Sequence, residues 1–290
     1  MTKSCLHTHT TFCDGKADVE TMCKAAFAKG FESIGFSSHA PITKKTGIKT
    51  LWHMKDEKLD EYIDAVEAAR KRWKGKLAVF LGLEVDYIRG LCSPSDTGIQ
   101  ELPLDFIIGA VHFVIPPGNG ELFTVDESAE NFRAGLKLFD NDGRALCEAY
   151  YDACNGMIAA GGFDILAHLE LIKKNNARFS FFSPGDGWYK QLLKKTASHI
   201  AGAKKNLVVE VNTGSIIRGY SLDPYPSLDM LKLLKERNIP LTQNADAHAP
   251  DHLGGGYETA QQSMQQAGYT TMALFQGRED GKAVWREESL

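Results

Sequence analysis

Ser4-Cys5-Leu6-His7-Thr8-His9 is a short run that contains the apolar pair Cys5-Leu6 and ends in two histidines. Asp18 to Lys29 follows, with apolar residues at helical spacing, and Gly30 supplies a stop signal for a helix. The two stretches together predict a buried strand followed by an amphipathic helix.

The order of strand and helix recurs along the rest of the chain. Further strands are predicted at Ser33–His39, Leu77–Tyr87, Asp105–His112, Phe163–His168, Leu207–Asn212, Pro240–Asp246 and Thr270–Phe275. Helices are predicted at Asp56–Trp73, Gly143–Ala160, Gly187–Lys204, Ser227–Glu236 and Tyr257–Ala267. Strands that alternate with helices imply parallel βα units, and seven or eight such units without a linker favour one barrel over two domains. The sequence therefore predicts an α/β fold, a TIM-like barrel that occupies residues 1–290 as a single domain.

Two stretches interrupt this rhythm, at about residues 41–55 and 113–142. Each follows a predicted strand, so in a barrel each would lie at the carboxyl-terminal mouth, where βα loops build substrate sites. We expect lids or substrate loops there.

Composition limits the classes of partner. The chain has 33 Lys+Arg against 37 Asp+Glu, a formal charge of −4, and no run of like charge that resembles a nucleic-acid-binding arm. A nucleic-acid partner is therefore not expected, whereas one local basic cluster could bind a small anion.

The amino terminus and the cysteines point to one compartment. Met1 to His7 has no apolar stretch long enough for a signal peptide, and no segment approaches the roughly 20 apolar residues of a membrane span. Six scattered cysteines form no C-x-x-C pair, so reduced thiols are expected, with Cys13 a weak candidate metal ligand. We expect a cytoplasmic protein without a membrane partner; its oligomeric state is open.

Histidines and carboxylates fall at the ends of the predicted strands. They are His7 and His9, His39, Glu84, His112, His168, and Asp246 with His248. Alternate strand residues point the same way, so His7 and His9 can face one ion, and Asp246 and His248 have the same spacing. A single histidine after an apolar strand is usually a hydrogen-bonded structural residue. The combination favours a metal site, because the carboxyl ends of barrel strands converge on one face.

Other candidates lie outside the strands. Asp14 in Asp14-Gly15 could be an ordinary turn residue, but it can also curl back over the barrel mouth, and we predict a ligand role. His53, His199 and His252 have weaker claims. His199 is predicted to be exposed on a helix, and His252 could support the site from outside the ligand set.

In order along the chain, these motifs resemble those of the polymerase and histidinol phosphatase (PHP) family. The matching pieces are Leu6–His9, Asp14-Gly15, Gly35–His39, Gly82–Glu84, Asp105–His112, Asp164–His168, Glu210–Thr213 and Asn244–His248. The resemblance covers nearly the whole chain and implies a distorted seven-stranded barrel with two or three divalent metal ions, which could be zinc, iron or manganese. It implies three ligand sets: His7, His9, Glu84 and Asp246; Glu84, His112 and His168; and Asp14, His39 and His248.

Within the family the sequence is most similar to the stand-alone histidinol-phosphatases. That similarity implies hydrolysis of L-histidinol phosphate, a small phosphorylated amino alcohol, to L-histidinol and phosphate in histidine biosynthesis. For such a reaction we hypothesise a metal-activated hydroxide as nucleophile, with the third ion, or an acid such as Asp246 or His248, assisting the departure of the alcohol. Arg218 matches a phosphate-binding position, and Lys173 or Lys174 occupies a place where arginine is commoner.

Two other functions remain open. The protein could be a PHP-family phosphoesterase that acts on nucleotides or nucleic-acid ends. It could also be a metal-holding module without catalysis. A substrate panel and a metal-loading experiment would separate these alternatives.

Overall fold

The computed structural model describes residues 3–118, 122–203 and 207–290. The strands are β1 (Lys3–Cys5), β2 (Phe31–Phe36), β3 (Ala78–Asp86), β4 (Phe106–Ala110), β5 (Phe113–Val114), β6 (Phe123–Thr124), β7 (Ile165–Leu166), β8 (Val208–Asn212), β9 (Leu241–Asn244), β10 (Thr271–Glu279) and β11 (Lys282–Ser289). The helices are α1 (Val19–Ala28), α2 (Thr43–Thr46), α3 (Leu59–Trp73), α4 (Thr97–Gln100), α5 (Ala129–Gly135), α6 (Gly143–Ala160), α7 (Asn176–Phe179), α8 (Gly187–Gly202), α9 (Gly214–Ile217), α10 (Leu228–Lys235) and α11 (Tyr257–Gln266). Single 3-10 turns occur at Asp56–Lys58, Leu136–Phe139, Leu171–Lys173 and Pro250–His252.

Seven parallel strands of the described chain form the barrel, in the order β1-β2-β3-β4-β7-β8-β9. The barrel approaches closure where Thr8 bridges Ala247. There the His9 N–H donates to the Ala247 carbonyl at 2.8 Å, and the Ala247 N–H donates to the His7 carbonyl at 3.0 Å. The predicted TIM-like fold is confirmed, and so is its distorted, seven-stranded form.

The predicted strands were too long at their carboxyl ends. β1 ends at Cys5 and β9 at Asn244, so the histidines and Asp246 lie beyond the regular ladder. The reason is that side chains replace strand partners there: the Leu6 N–H donates to Asn244 Oδ1 at 2.7 Å, and the Thr8 N–H to Ser37 Oγ at 3.2 Å. Beyond the ladder the backbone is irregular, and Asp246 has a positive φ of 50°.

A hairpin closes the opposite end of the barrel. One short strand at Thr270–Phe275 was predicted, but β10 and β11 pair antiparallel through a turn at Asp280-Gly281. Both turn residues have positive φ, which suits a two-residue hairpin. Phe275 packs on Phe80 and Phe106, with ring centroids 4.9 and 5.6 Å apart, and so plugs the barrel from below.

The two interruptions have different structures. Residues 41–55 contain only α2, whereas 113–142 contain the β5–β6 hairpin, α5 and a 3-10 turn, with 119–121 outside the described residues. Apolar side chains from both stretches pack together, among them Ile42, Phe113 and Trp52. Both follow barrel strands, so they lie at the mouth as expected; their role as lids stays a prediction.

None of the described helices combines the length and apolarity needed to cross a bilayer.

Candidate metal centre

The carboxyl ends of the barrel strands bring all nine predicted ligands together. His7 and His9 follow β1, Asp14 lies in the next turn, His39 follows β2, Glu84 lies in β3, His112 follows β4, His168 follows β7, and Asp246 and His248 follow β9. Hydrogen-bonding and ionic distances connect them into one cluster.

Glu84 lies at the centre of the cluster and is 1% exposed. Its Oε1 is 2.9 Å from His168 Nε2 and 3.6 Å from His112 Nε2. Its Oε2 is 3.0 Å from His39 Nδ1, 3.2 Å from His7 Nε2 and 3.4 Å from His9 Nε2. One carboxylate therefore faces five imidazoles, with a different set at each oxygen.

A second carboxylate fixes the orientation of His7. Glu210 is fully buried, and its Oε2 lies 2.9 Å from His7 Nδ1. Because a carboxylate only accepts, Nδ1 carries a proton and Nε2 is directed at Glu84 and at Asp246 Oδ1, 3.7 Å away. Burial alone lowers the pKa of His7, but the surrounding carboxylates, with Glu210 the strongest, raise it well above the ordinary value. His7 Nε2 thus requires a positive charge, a proton or a metal ion.

The chemistry of the donor set fits divalent cations. His7 Nε2, His9 Nε2, His39 Nδ1 and Glu84 Oε2 are buried and make no well-aligned hydrogen bond within the described residues, although the three nitrogens lie 3.0–3.4 Å from Glu84 Oε2. Buried polar atoms are almost always paired, so four such atoms in one place indicate a site for a ligand. Imidazole nitrogens together with carboxylate oxygens are ligands of zinc, iron and manganese.

Four groups of ligand atoms within the described residues could each hold an ion. They are His9, Asp14, His39 and His248; His7, His9 and Asp246; His7, Glu84 and His168; and His39, Asp86 and His112. His9 therefore lies close to ligands of both the first and the third of the expected sets. His112 groups with Asp86 as well as lying near Glu84.

Opposing neighbours give the imidazoles different charges in the absence of metal. Burial, together with the nearby His248 and His39, lowers the pKa of His9 to about 3. Burial also disfavours the charged form of His112, but Asp86 and Glu84 outweigh it and raise the pKa of His112 to about 10. A metal ion would displace the proton from such a histidine, as ligand nitrogens must be unprotonated.

Asp14 reaches the cluster through a tight turn. Its side chain is 31% exposed, and its Oδ2 lies 3.2 Å from His248 Nε2. A Cβ at Gly15 would lie 2.5 Å from the carbonyl carbon of His9 and from Thr10 N, so only glycine allows this turn to pack on the preceding backbone. Glycine is therefore needed after Asp14 for close packing, in addition to the ordinary preference of Asp-Gly for turns.

The two predicted substrate-binding residues are placed differently. Arg218 follows α9, and its Nη2 donates to Asp246 Oδ2 at 2.8 Å while Nη1 donates to the Asp246 carbonyl at 3.1 Å. Lys173 Nζ lies 3.7 Å from Glu170 Oε1, its one ion pair within the described chain. Lys174 pairs with Asp126. The structure brings Arg218 into the cluster, whereas both lysines lie beside other carboxylates.

The supporting residues were largely missed from sequence. Asp86 is 1% exposed, and its Oδ1 accepts from His112 Nδ1 at 2.9 Å. Burial would raise the pKa of Asp86, but His112 and His53 lower it well below the ordinary value. The spacing Glu84-x-Asp86, the same as His7-x-His9, was a signal that could have indicated it. Glu210 was part of a recognised motif, but its bond to His7 was not foreseen.

The weaker candidates have separate outcomes. His199 is exposed on α8, as predicted. His252 Nδ1 accepts the His248 N–H at 3.3 Å, so it does support the cluster from outside. Cys13 Sγ lies 3.4 Å from His9 Nδ1. All six cysteines are free thiols.

The family model of the PHP domain matches residues 6–214. The chain belongs to the PHP family. The assignment made from the motifs is therefore confirmed, and the match spans the ligands from His7 to His168.

Two relatives and one solved structure extend the comparison over most of the chain. A protein named probable histidinol-phosphatase from Deinococcus radiodurans is 27% identical over 269 residues, 92% of this chain and 95% of the relative. The histidinol-phosphatase of Bacillus subtilis is 27% identical over 273 residues, 87% of this chain and 96% of the relative. The solved histidinol phosphate phosphatase of Lactococcus lactis, complexed with zinc, L-histidinol and phosphate, shares the fold with a TM-score of 0.73 at 19% identity, covering 97% of this chain and 98% of that one.

Proposed function

We propose that this PHP protein is a phosphomonoesterase that hydrolyses L-histidinol phosphate to L-histidinol and phosphate, a step of histidine biosynthesis. The observation that carries the proposal is the group of buried, unpartnered imidazole and carboxylate atoms beside Arg218. Hydrolysis of a phosphate monoester needs positive charge beside the phosphate in the transition state. Cations held by these atoms, together with the Arg218 guanidinium, would supply that charge. The names of two relatives that match most of the chain support the choice of substrate.

The cluster would hold two or three divalent cations, with zinc, iron or manganese all suited to its ligands. We assign His7, His9, Glu84 and Asp246 to the first, Glu84, His112 and His168 to the second, and Asp14, His39 and His248 to the third. Such cations supply charge that offsets the phosphate oxygens and lower the pKa of a coordinated water to about 7.

Arg218 is the residue that we assign to the phosphate. Its guanidinium is anchored by Asp246 and its side chain is 27% exposed, so donors not used by Asp246 can face the substrate. A guanidinium has five N–H groups in a fixed fork, which suits two phosphate oxygens at once. Gly214 allows this position, because a Cβ there would overlap Arg218 Nη2. Lys173 would add a second positive charge from the loop after β7.

Two residues are candidates to protonate the leaving alcohol. Asp246 uses Oδ2 to accept from Arg218, and its Oδ1 lies 3.3 Å from His9 Nε2, so both oxygens are engaged. The His248 side chain is 18% exposed, against 9% for Asp246. His248 is also assigned to the third cation, however, and a ligand nitrogen carries no proton. We therefore assign departure of the alcohol to the charge that the third cation would supply, with His248 as the residue that would hold it. His248→Asn should impair hydrolysis of histidinol phosphate far more than that of p-nitrophenyl phosphate, whose leaving group departs without such help; equal losses would contradict this assignment.

The deciding experiment measures phosphate release from L-histidinol phosphate, nucleoside monophosphates and p-nitrophenyl phosphate after reconstitution with manganese, zinc or iron. We expect chelator-sensitive turnover with a strong preference for histidinol phosphate. His9→Ala should abolish turnover and reduce metal uptake, whereas His199→Ala, at an exposed histidine on α8, should match the wild type in both.

Each other result points to a different function. A preference for nucleoside monophosphates would favour a nucleotide-directed phosphoesterase. Indiscriminate, chelator-sensitive turnover would retain the metal centre and point to another substrate within the family. Full metal loading without turnover would favour a non-catalytic module. Chelator-resistant turnover would refute a metal-dependent reaction.

A further inference from the structure

We propose that His53 is a positioning residue, through which the loop that follows β2 sets the orientation of His112 in the metal centre. The inference rests on the proposed function in one respect, that His112 binds a metal ion. His53 itself does not contact Glu84 and is not assigned as a ligand.

The contacts of His53 form a directed chain of hydrogen bonds. His53 Nε2 lies 2.8 Å from Asp86 Oδ2, and His112 Nδ1 lies 2.9 Å from Asp86 Oδ1. The ionised Asp86 carboxylate only accepts, so both ring nitrogens donate to it. His53 Nδ1 is then the acceptor for the Thr50 hydroxyl, 2.7 Å away. The Thr50 oxygen in turn accepts the His53 backbone N–H at 3.1 Å.

This chain leaves one nitrogen of His112 for a metal ion. With its Nδ1 proton on Asp86, His112 Nε2 is directed toward Glu84 Oε1, 3.6 Å away. A ligand histidine typically donates its other N–H to a carboxylate, which fixes its tautomer and raises its basicity. Here the carboxylate is itself held by a second histidine, whose side chain is 2% exposed.

Ring packing couples the same loop to two ligands. Trp52 stacks on His53 with centroids 3.8 Å apart, and its edge meets the rings of His39 and His112 at 4.7 and 5.2 Å. Trp52 also stacks on Phe113, from the loop after β4, at 5.4 Å. The loops after β2 and β4 therefore meet over His112, and the hydrogen bond from His53 to Asp86 is the polar connection at this junction.

The test compares two variants of the full-length protein. In His53→Gln the amide can occupy the place of Nε2 and still donate to Asp86. In His53→Asn the amide occupies only the place of Nδ1, so the contact with Thr50 is kept and the contact with Asp86 is lost. Manganese binding to chelator-stripped protein, followed by calorimetry, is the readout. We expect His53→Asn to weaken one manganese step about 10- to 100-fold, and His53→Gln to recover most of that loss.

A double-mutant cycle with Asp86→Asn identifies the route of the effect. If His53 acts through Asp86, His53→Asn should have little further effect on manganese binding in the Asp86→Asn background. Wild-type manganese affinity in His53→Asn, or an undiminished effect in the double variant, would overturn the proposal. A merely structural role would lower the Tm of the metal-free protein and leave the manganese affinity unchanged. Failure of the proposed function is a separate result, the absence of histidinol phosphate hydrolysis by the metal-loaded wild type.

Discussion

Replacing Glu84 with glutamine tests whether one buried carboxylate serves two cations. The amide keeps the shape of the side chain but removes its charge, and it places an NH2 donor at one of two positions, either the one 2.9 Å from His168 Nε2 or the one 3.0 Å from His39 Nδ1. Cations at both oxygens should therefore be lost together.

The size of the effect on stability follows from ligand binding. A cation that binds only the folded protein stabilises it by about 2.7 kcal/mol at roughly one hundred times its Kd, and by only about 0.4 kcal/mol once the affinity falls one hundredfold. Loss of this affinity at two sites thus removes about 5 kcal/mol of stabilisation. An unfolding entropy of about 2.1 cal/mol/K per residue gives about 0.6 kcal/mol/K for 290 residues. The manganese-induced rise in Tm should accordingly shrink by roughly 8 °C in Glu84→Gln.

The assay is calorimetric unfolding of chelator-stripped protein with and without manganese at a fixed free concentration. Glu170→Gln is a matched control, because Glu170 is equally buried but bonds to Tyr189 and to the Ser227 N–H. The control should be less stable in both states and keep its full manganese-induced rise. A wild-type rise in Glu84→Gln would refute the shared-carboxylate reasoning.

Three further predictions concern other residues. Glu210→Gln removes the carboxylate that holds His7, so manganese affinity should fall about 10- to 100-fold by calorimetry; unchanged affinity would contradict its supporting role. Arg218→Lys loses the planar fork, so inhibition by inorganic phosphate should weaken at least tenfold, in line with about 1.5–3 kcal/mol for a charged hydrogen bond; equal inhibition would show that Arg218 does not bind phosphate. Burial raises the pKa of Asp164 despite its ion pair with Arg278, so the folded state binds this proton more tightly than the unfolded chain. The free energy of unfolding should therefore lose a contribution as pH rises above the ordinary value of 3.8, and urea denaturation of Asp164→Asn should lack that loss; a constant offset between the two proteins would contradict it.

The helices could be predicted closely, because caps and periodicity are local signals. α6 has the predicted bounds, and its first N–H groups are capped by Asp142. The strand ends could not be predicted, since side-chain acceptors such as Asn244 replace the backbone partners of the sheet there and leave no local signal in the sequence. β11 was missed for another reason: Arg286-Glu287-Glu288 is largely exposed and gives no apolar alternation.

The residues of the site also divide into those that a local sequence signal reveals and those that it does not. Most of its metal-ligand candidates could be named because they lie near the carboxyl end of an apolar strand, and the barrel brings strand ends together; Asp14 was named from its turn. Asp86 bonds to His112, which follows the neighbouring strand β4, and Glu210 bonds to His7, which lies 203 residues away in the sequence. Their roles therefore depend on strand pairings that no local signal gives. His53 lies in a loop without periodicity, and only its contact with Asp86 reveals a role.

The balance of charge in the cluster bears on how many cations it would hold. Five carboxylates, those of Asp14, Glu84, Asp86, Glu210 and Asp246, face one guanidinium, that of Arg218, which leaves four negative charges if the imidazoles are neutral. Two divalent cations balance these four charges. A third would leave an excess of two positive charges, which is the charge of a phosphate monoester dianion with opposite sign. We infer that two cations bind to the free protein and that the third binds more tightly in the presence of phosphate. Calorimetric titration with manganese, with and without inorganic phosphate, should show this coupling, and three equally tight steps without phosphate would contradict it.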